Sequence, residues 1–360
     1  LRGSEGRFGL SLRQPIGVVA AITPFNFPLN LVAHKVAPAL AAGCTVVLRP
    51  TSEAPLIALL LGEVIAAAAA EVGAAPAILN VVPCATDVAD LLLTSDNVAM
   101  ISFTGSSAVG QHIRARAGMK RVALELGSNA ANIVTPSADL GAAASALARG
   151  GFVFAGQSCI SAQRIYVHES VAGVFTERLV AAANALKVGD PLAEGTDVGP
   201  MISPAAAERA DRWIREAVSQ GARLATGGTR DGSYLAPTVL TDVTREMLVV
   251  CEEIFAPVVA VQTYGDFPTV IEEVNRSRLG LNHGLFTNDL AEAVYAIEEL
   301  EVGGVIVNDA STYRADHMPY GGVKDSGNAR EGVRYAIQEM TELKFAVLNA
   351  EFGRLRRTER

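Results

Sequence analysis

The sequence predicts an α/β fold of two doubly wound αβα domains with mostly parallel sheets. Short apolar runs alternate with helical stretches in the first half, and a second series of the same kind follows residue 126. This alternation is typical of βαβ units, in which helices cover both faces of a parallel sheet. Right-handed crossovers then bring the carboxyl ends of the strands to one edge, where ligands bind.

The first half supplies the first predicted sheet. Buried strands are expected at residues 17–23, 44–49, 77–82, 98–104 and 120–126. The helices expected between them are a first one ending at Gly43, a second over 55–72, and shorter ones at TDVADLLLT and SSAVGQHIRARAG. The helix over 55–72 is expected to be buried rather than membrane-spanning. Glu63 and Glu71 interrupt it short of the roughly 18–20 apolar residues that a spanning helix needs.

The second half supplies the second predicted sheet. Its strands include RIYVH, APVVAVQTY and GGVIVND. Its helices are expected at about residues 139–155, 171–186, 203–220, 268–277 and 290–300.

Composition and charge exclude several classes of protein. Half of the residues are hydrophobic and 19% are charged, as in a packed globular protein. The net charge of −8 disfavours a nucleic-acid binder, which needs a basic face, and the basic tail at 351–360 reads as a solvated end. No apolar core segment opens the chain as a secretory signal would. The cysteines at 44, 84, 159 and 251 have no metal-binding spacing, so we expect no metal, no membrane association and a cytoplasmic protein.

Cys159 is a candidate nucleophile in the stretch GFVFAGQSCISAQRIYVH. A free cysteine is often simply buried, and no histidine lies near it in the sequence. Gly156, Gln157 and Ser158 nevertheless make a small polar approach along which a substrate could come close. The residues alone therefore leave both interpretations open, and leave open a histidine partner formed in space.

Two other polar residues stand at the ends of predicted strands. Glu125 ends the apolar run VALEL, where partial desolvation would suit a carboxylate to act as a general base. A solvent-exposed strand end is the alternative. Asn26 lies between two phenylalanines in ITPFNFPLN, and its amide would either turn the chain or donate to a developing oxyanion.

Five motifs carry a resemblance when taken in order: TPFNFP, LELGSN, GQSC, EEIFAP and MPYGGVKDSGNAREG. Together they resemble the aldehyde dehydrogenase superfamily, over about residues 10–348. ISFTGSSAVG, QSCISAQRI and MPYGGVKDSG look most like the branch with lactaldehyde and phosphonoacetaldehyde dehydrogenases. The resemblance implies NAD(P)-dependent oxidation of a small polar aldehyde to its acid.

The resemblance also implies catalytic roles. Cys159 matches the thiol that attacks the aldehyde to form a thiohemiacetal and then a thioester. Asn26 and the backbone N–H of Cys159 match the oxyanion donors, and Glu125 matches the group that activates the hydrolytic water. The chain's own chemistry leaves two alternatives: a cofactor-independent cysteine esterase or acyl-hydrolase, or an inactive nucleotide-binding remnant.

A cofactor site for NAD or NADP is implied by position. Gly105 and Ser106 begin a helix after a strand, where backbone N–H groups suit a pyrophosphate. Glu253 matches the acid that holds the nicotinamide ribose, and Phe255 the ring beside the nicotinamide, although its sequence context alone reads as core. The full predicted set is Thr23, Pro24, Phe25, Arg49, Ser52, Gly105, Ser106, Gly127, Glu253 and Phe255.

Two positions bear on the choice of cofactor. Arg49 falls where the family usually has lysine near the adenosine ribose, and Ser52 where NAD-preferring members often have glutamate. A serine beside an arginine would not repel a 2′-phosphate, so we expect NADP to be at least tolerated. If Glu53 is the aligned acid, this expectation fails.

Arg314 lies just before the MPYGG motif, in a loop that resembles part of the substrate entrance. A cation there would hold an anionic group such as phosphonate or carboxylate, and a surface ion pair is the alternative. Arg164 is expected to be structural.

The chain departs from the family pattern in two respects. Family members carry a sizeable portion ahead of the TPFNFP segment, whereas about twenty residues precede it here, so we expect a shortened chain. Ser128, Ala256 and Ala329 stand where glycine is usual, and each added Cβ is expected to restrict the backbone.

Domains and assembly follow from the same resemblance. We expect a dinucleotide-binding domain at 15–125 and a catalytic domain at 126–340. Residues 1–14 and 341–350 are expected to form short oligomerisation strands, and the resemblance implies a homodimer or homotetramer.

Overall fold

The computed structural model describes residues 7–349, and the basic tail at 351–360 lies outside the described residues. Its strands are β1 (Arg7–Pro15), β2 (Val18–Ile22), β3 (Thr45–Arg49), β4 (Leu79–Val81), β5 (Met100–Thr104), β6 (Arg121–Glu125), β7 (Ala131–Val134), β8 (Arg164–His168), β9 (Arg223–Thr226), β10 (Arg230–Asp231), β11 (Tyr234–Leu235), β12 (Thr238–Thr241), β13 (Val258–Tyr264), β14 (Leu279–Gly280), β15 (Asn282–Phe286), β16 (Gly304–Val307), β17 (Val323–Lys324) and β18 (Thr341–Asn349). Its α-helices are α1 (Asn30–Ala41), α2 (Pro55–Glu71), α3 (Thr86–Thr94), α4 (Ser107–Arg116), α5 (Leu140–Phe152), α6 (Ala172–Ala185), α7 (Pro204–Ser219), α8 (Leu248–Cys251), α9 (Phe267–Asn275), α10 (Leu290–Glu299) and α11 (Val333–Glu339).

The first sheet is parallel and has the order β4-β3-β2-β5-β6. Each of its strands lies within a run where the sequence predicts one. The chain moves outward from β2 to β3 and β4, then returns to the other side of β2 at β5. The connections therefore diverge between β2 and β5, and the carboxyl ends of these two strands border a crevice of the kind that binds ligands in doubly wound folds.

The second sheet has seven strands in the order β16-β15-β7-β8-β13-β12-β9. All its pairings are parallel except that of β12 with the edge strand β9. The mixed α/β fold with mostly parallel sheets is therefore confirmed. The sequence predicted β8, β13 and β16 of this sheet, whereas β7, β9, β12 and β15 were not named. At β7, the four residues ANIV are all buried and too few to show a period.

Helix α2 corrects one expectation. It forms where predicted, but the prediction that it is buried is wrong: only Ala58 and Ala69 are buried, while Leu56 and Val64 are 72% and 65% exposed. The helix packs beside the edge strand β4, so the sheet covers only one narrow face of it. Within residues 7–349, no helix combines the length and the apolar character that crossing a membrane requires.

The chain crosses between the sheets at residues 126–130 and later returns. Ala329 and Met340 belong to the core of the first sheet, and α11 packs against α1. The return carries the MPYGG segment back over the carboxyl end of β6, where Glu125 bridges to Gly327. The division into domains at 15–125 and 126–340 stays a prediction.

The two predicted terminal strands form a ribbon. β1 pairs antiparallel with β18 over their full lengths, from Arg7 opposite Asn349 to Pro15 opposite Thr341. Both faces of the ribbon are apolar and exposed, with Phe8 on one and Phe345 on the other, 61% and 67% exposed.

Candidate active site

A cavity of about 710 Å³ lies at the carboxyl ends of β2, β5 and β6 and faces the second sheet. The predicted residues that line it are Pro24, Phe25, Asn26, Gly105, Ser106, Glu125, Gly127, Cys159, Glu253, Phe255 and Arg314. The predicted Thr23, Arg49 and Ser52 do not line it. The cavity therefore gathers the three proposed catalytic residues from three separate segments of the chain.

The loop that carries Cys159 has an unusual backbone. After α5, Phe154 and Ala155 adopt positive φ angles of 58° and 52°, and Gly156 follows at 65°. Residues other than glycine rarely adopt this region, and such outliers cluster at functional sites. A Cβ on Gly156 would collide with the backbone of Ala256, so glycine is required there. The sharp turn delivers Cys159 to the cavity wall.

The Cys159 thiol has a tyrosine partner. Its Sγ lies 2.9 Å from the hydroxyl oxygen of Tyr320. Burial raises the pKa of Cys159 to about 12; the hydrogen bond with Tyr320 opposes this rise, and Glu253 and Glu125 add to it. Cys159 is therefore a neutral thiol near pH 7 and needs a base to become a thiolate. The histidine pairing that the sequence left open does not occur, since the recorded partner is Tyr320.

Glu125 ends β6 inside the cavity and is 4% exposed, so it is not a solvated strand end. Neither of its carboxylate oxygens has a hydrogen-bond partner among the described residues. Burial, followed by repulsion from Glu331, raises the pKa of Glu125 well above its usual range. A carboxylate poised in this way accepts a proton readily, as a general base must.

Buried charges lie around Glu125, and two of them, Lys35 and Glu331, were not predicted from the sequence. Glu331 accepts a hydrogen bond of 2.9 Å from Nη2 of Arg314, and its other oxygen lies 3.7 Å from Nζ of Lys35. Burial raises the pKa of Glu331, but Lys35 and Arg314 outweigh it and leave that pKa lowered. The signal for Lys35 was a lysine inside the apolar helix LVAHKVAPAL, where a charge calls for a partner.

Asn26 follows β2 and is 5% exposed. Its Nδ2 donates a 3.1 Å hydrogen bond to the carbonyl oxygen of Gln157, two residues before Cys159. An amide nitrogen carries two hydrogens, so the second remains available to an oxyanion formed beside the sulfur.

Gly105 and Ser106 lie where β5 turns into α4. The Gly105 N–H donates to the carbonyl oxygen of Glu125 at 3.0 Å, which joins this turn to the proposed base. The side chain of Ser106 caps α4 by accepting from the N–H of Val109 at 3.4 Å. The amino terminus of α4 thus opens toward the cavity, an arrangement that suits a phosphate.

Glu253 lies against the backbone of Gly127 and Ser128. Its Oε1 accepts a 2.8 Å hydrogen bond from the Ser128 N–H, and any Cβ on Gly127 would collide with the carboxylate. Burial raises the pKa of Glu253 to about 7, against the Ser128 bond, which lowers it. Phe255 has a positive φ of 51° and packs edge-on against Phe25, with ring centres 6.0 Å apart.

The residues expected to decide the cofactor lie outside the cavity. Arg49 donates to the carbonyl oxygen of Cys84 at 3.3 Å. Glu53 accepts hydrogen bonds from Thr51 and Ser52. The pKa of Glu53 is lowered, and the bond from Thr51 is the largest cause. Glu53, the alternative acid, is therefore turned toward its own loop.

None of the three positions where the family usually has glycine has a left-handed backbone. Ser128, Ala256 and Ala329 are buried, and none is among the described residues with positive φ. A left-handed backbone is therefore not what glycine would supply at these three positions. That each added Cβ restricts a close approach of the backbone stays a prediction. Arg164 is 4% exposed and donates to the Asn129 carbonyl at 2.8 Å, as expected of a structural residue. In the described part of the chain, no cluster of three potential metal ligands occurs.

Known proteins match nearly the whole chain. A model of the aldehyde dehydrogenase family matches residues 1–346. The chain is 50% identical to 3-sulfolactaldehyde dehydrogenase of Priestia aryabhattai, over 96% of this chain and 72% of that protein. It is 44% identical to lactaldehyde dehydrogenase of Methanocaldococcus jannaschii, over 96% of this chain and 74% of that protein.

Solved structures agree with the sequence matches. Glyceraldehyde-3-phosphate dehydrogenase of Methanocaldococcus jannaschii, complexed with NADP, superposes with a TM-score of 0.94 at 44% identity, over 96% of this chain and 76% of that one. Aldehyde dehydrogenase 21 of Physcomitrella patens, in complex with the reaction product succinate, superposes with a TM-score of 0.93 at 45% identity, over 97% of this chain and 72% of that one.

The buried state of Glu125 predicts a pH-dependent stability. The pKa of Glu125 is higher in the folded state than in the unfolded state, where it is about 4.3. The native state therefore loses stability as pH rises from about 4.3 through the folded-state pKa. Glu125→Gln removes this loss, so we expect it to raise the free energy of unfolding by about 1–3 kcal/mol at pH 8 and little at pH 4. Thermal denaturation across pH measures this, with the exposed Glu63→Gln as control. A variant less stable than wild type at pH 8 would contradict the prediction.

Proposed function

The chain belongs to the aldehyde dehydrogenase family, and from this premise we propose that it oxidises a small polar aldehyde to its carboxylic acid with NAD or NADP. The observation that carries the proposal is the meeting of Cys159, Glu125 and Asn26 in one cavity. A nucleophile, an unpartnered base and an amide donor are the groups that acyl chemistry through a thiol requires.

The first step is attack by Cys159 on the aldehyde carbon. Because the thiol is protonated near neutrality, its proton must leave to a base. Glu125 lies in the same cavity, and neither of its carboxylate oxygens has a hydrogen-bond partner within residues 7–349. The sulfur bonds to carbon while the carbonyl π electrons move to oxygen. Asn26 Nδ2 and the Cys159 N–H stabilise the resulting oxyanion, and such a donor is worth about 3 kcal/mol in other enzymes.

The cavity fits a nicotinamide dinucleotide. The amino terminus of α4 at Gly105 and Ser106 suits the pyrophosphate, and Glu253 suits ribose hydroxyls. The chemistry that NAD or NADP supplies when bound is the acceptance of a hydride from the carbon attached to Cys159. Ser52 adds no acid that would repel a 2′-phosphate, and Arg49 ends β3, the strand beside β2. We therefore propose that NADP is tolerated.

Glu125 also serves the second half of the reaction. The carbon on Cys159 is then a thioester. Once Glu125 has released the thiol proton to solvent, it takes a proton from the water that attacks this carbon. Its burial keeps the carboxylate basic enough for this transfer, because burial disfavours the charged form. The C–S bond then breaks as the acid leaves, and the sulfur takes the proton held by Glu125, which returns Cys159 to its thiol and Glu125 to a carboxylate.

The cavity also bears on the class of aldehyde. Arg314 lines it, but its charge is engaged by Glu331 at 2.9 Å. Arg149 lines the same cavity and is exposed, and its side chain shows no ion pair or hydrogen bond within residues 7–349. We propose that both arginines face the polar end of the substrate and that Arg149 balances an anionic group there. The name of one relative, 3-sulfolactaldehyde dehydrogenase, supports an anionic aldehyde, because its sulfonate carries a negative charge.

Turnover tests the proposal directly. The purified chain is incubated with an aldehyde panel and each cofactor, and formation of reduced nicotinamide is followed. We expect activity with both cofactors, its loss in Cys159→Ala, and a fall in kcat of about 10²–10⁴-fold in Glu125→Gln. Cys251→Ala, which alters an exposed cysteine, is the matched control.

Other outcomes of this assay separate the alternatives. A folded chain that oxidises no aldehyde would overturn the proposal. Ester cleavage without cofactor, lost in Cys159→Ala, would favour the hydrolase. Cofactor binding without either activity would favour the nucleotide-binding remnant. A strong preference for NAD would count against tolerance of NADP.

Arg149→Gln tests the anionic end of the substrate. We expect KM for succinic semialdehyde to rise about tenfold, which corresponds to the loss of roughly 1.4 kcal/mol of charge pairing, while KM for butanal changes less than about twofold. Arg178→Gln, on the exposed face of α6, is the control. An equal change with both aldehydes would show that Arg149 does not read the charge.

We further propose that the ribbon of β1 and β18 joins subunits of a homodimer or homotetramer. Its exposed apolar faces and free edges favour pairing with a second copy. Phe345→Glu is then expected to lower the molecular mass measured by light scattering toward that of a monomer. Leu192→Glu, at a residue that is 92% exposed outside the ribbon, should leave the mass unchanged. A monomeric wild-type chain would refute the proposal.

A further inference from the structure

Tyr320 contacts the reacting sulfur, and neither the motif nor the proposed reaction assigns it a role. Its hydroxyl oxygen lies 2.9 Å from Cys159 Sγ, and the residue is 5% exposed and lines the cavity. Within residues 7–349, this is the only hydrogen bond that the structure gives to either side chain. A buried phenol directed at a nucleophile requires an explanation, because buried hydroxyls are costly unless they are bonded.

The position of Tyr320 does not depend on its hydroxyl. Its backbone N–H donates to the Glu331 carbonyl oxygen at 3.1 Å, within a short antiparallel bridge between the two residues. Its ring packs with Ile160 and Leu281. The guanidinium of Arg314 lies 4.0 Å from the ring centre, in the geometry of a cation–π contact. The backbone and the ring therefore hold the residue, and the oxygen is free to serve the sulfur.

The surroundings of Cys159 otherwise oppose a thiolate. The charged groups that face it are Glu253, Glu125 and Glu331, and all three raise its pKa, as burial does. Tyr320 is the neighbour that acts in the opposite direction through its hydrogen bond. A phenol donates weakly to a thiol sulfur but strongly to a thiolate, because bonds to a charged acceptor are about twice as strong. The cation of Arg314 against the ring favours the phenol as a donor, since it draws electron density from it.

We propose that Tyr320 is the hydrogen-bond donor that stabilises the Cys159 thiolate at the moment of attack. The thiol proton leaves to Glu125, the sulfur lone pair forms the bond to carbon, and the phenolic proton remains on Tyr320 throughout. The proposal rests on Cys159 being the nucleophile of the proposed function. The test measures a property of the Cys159 thiol, so the proposal can be supported or overturned without any aldehyde.

Tyr320→Phe keeps the ring, its packing and the Arg314 contact while it removes the donor. The rate at which iodoacetamide alkylates Cys159 is measured from about pH 7 to pH 9, with the site resolved by mass spectrometry. Loss of a bond to a charged acceptor raises a thiol pKa by about one to two units, which lowers the thiolate fraction about 10- to 100-fold. The thiolate that remains is more nucleophilic, so we expect a net fall of about 3- to 10-fold.

Tyr313→Phe is the matched control, because Tyr313 is 50% exposed and precedes the same segment. The melting temperature of Tyr320→Phe is measured alongside, since a purely structural role would change stability and leave alkylation untouched. An unchanged rate in folded Tyr320→Phe would overturn the proposal. A faster rate would also overturn it, because it would show that the phenol accepts the thiol proton and holds the sulfur neutral. Aldehyde turnover enters neither result, so failure here is distinguishable from failure of the proposed function.

Discussion

The site depends on one constraint: the carboxyl group of Glu125 is buried at the end of a parallel strand, and no residue between 7 and 349 forms a hydrogen bond with it. Burial of a carboxyl group without a hydrogen bond lowers the free energy of unfolding, and the rest of the site reduces this loss without removing it. Lys35 and Arg314 form their ion pairs with the neighbouring Glu331. They also lower the pKa of Glu125, but burial and Glu331 outweigh them, so that pKa stays raised. Gly321 permits the close approach, because a Cβ there would lie 2.9 Å from Glu125 Oε1.

Much of this arrangement could be predicted because it is local in the sequence. Strand periods placed β2, β5 and β6, and a parallel sheet brings the residues after those strands to one edge. Asn26, Gly105 and Glu125 each lie at or just after the end of one of these strands, and the structure places all three in the wall of one cavity. The residues alone left Cys159 either a buried thiol or a nucleophile, and the resemblance to a known family favoured the nucleophile. Cys159 lies in the loop before β8, and no periodicity connects it to the first sheet.

The rest could not be predicted, for physical reasons. Lys35 contacts Glu331 from almost three hundred residues away, and Tyr320 contacts Cys159 from 161 residues away. Single-sequence patterns carry no information on contacts between such distant segments. The burial of α2 was predicted wrongly because an apolar composition shows that a helix can be buried, not that a partner covers it. The positive φ angles at Phe154 and Ala155 oppose local preference, and tertiary packing imposes them.

The hydrogen bond from Asn26 to the Gln157 carbonyl also joins the two halves of the molecule. Asn26 follows a strand of the first sheet, whereas Gln157 belongs to the loop that leads into the second. The distance between the oxyanion donor and the sulfur is therefore a measure of how the two sheets are aligned. A rotation of one sheet against the other that lengthens this bond would separate donor from nucleophile, so mechanical rigidity across the crevice is itself a condition for chemistry in it.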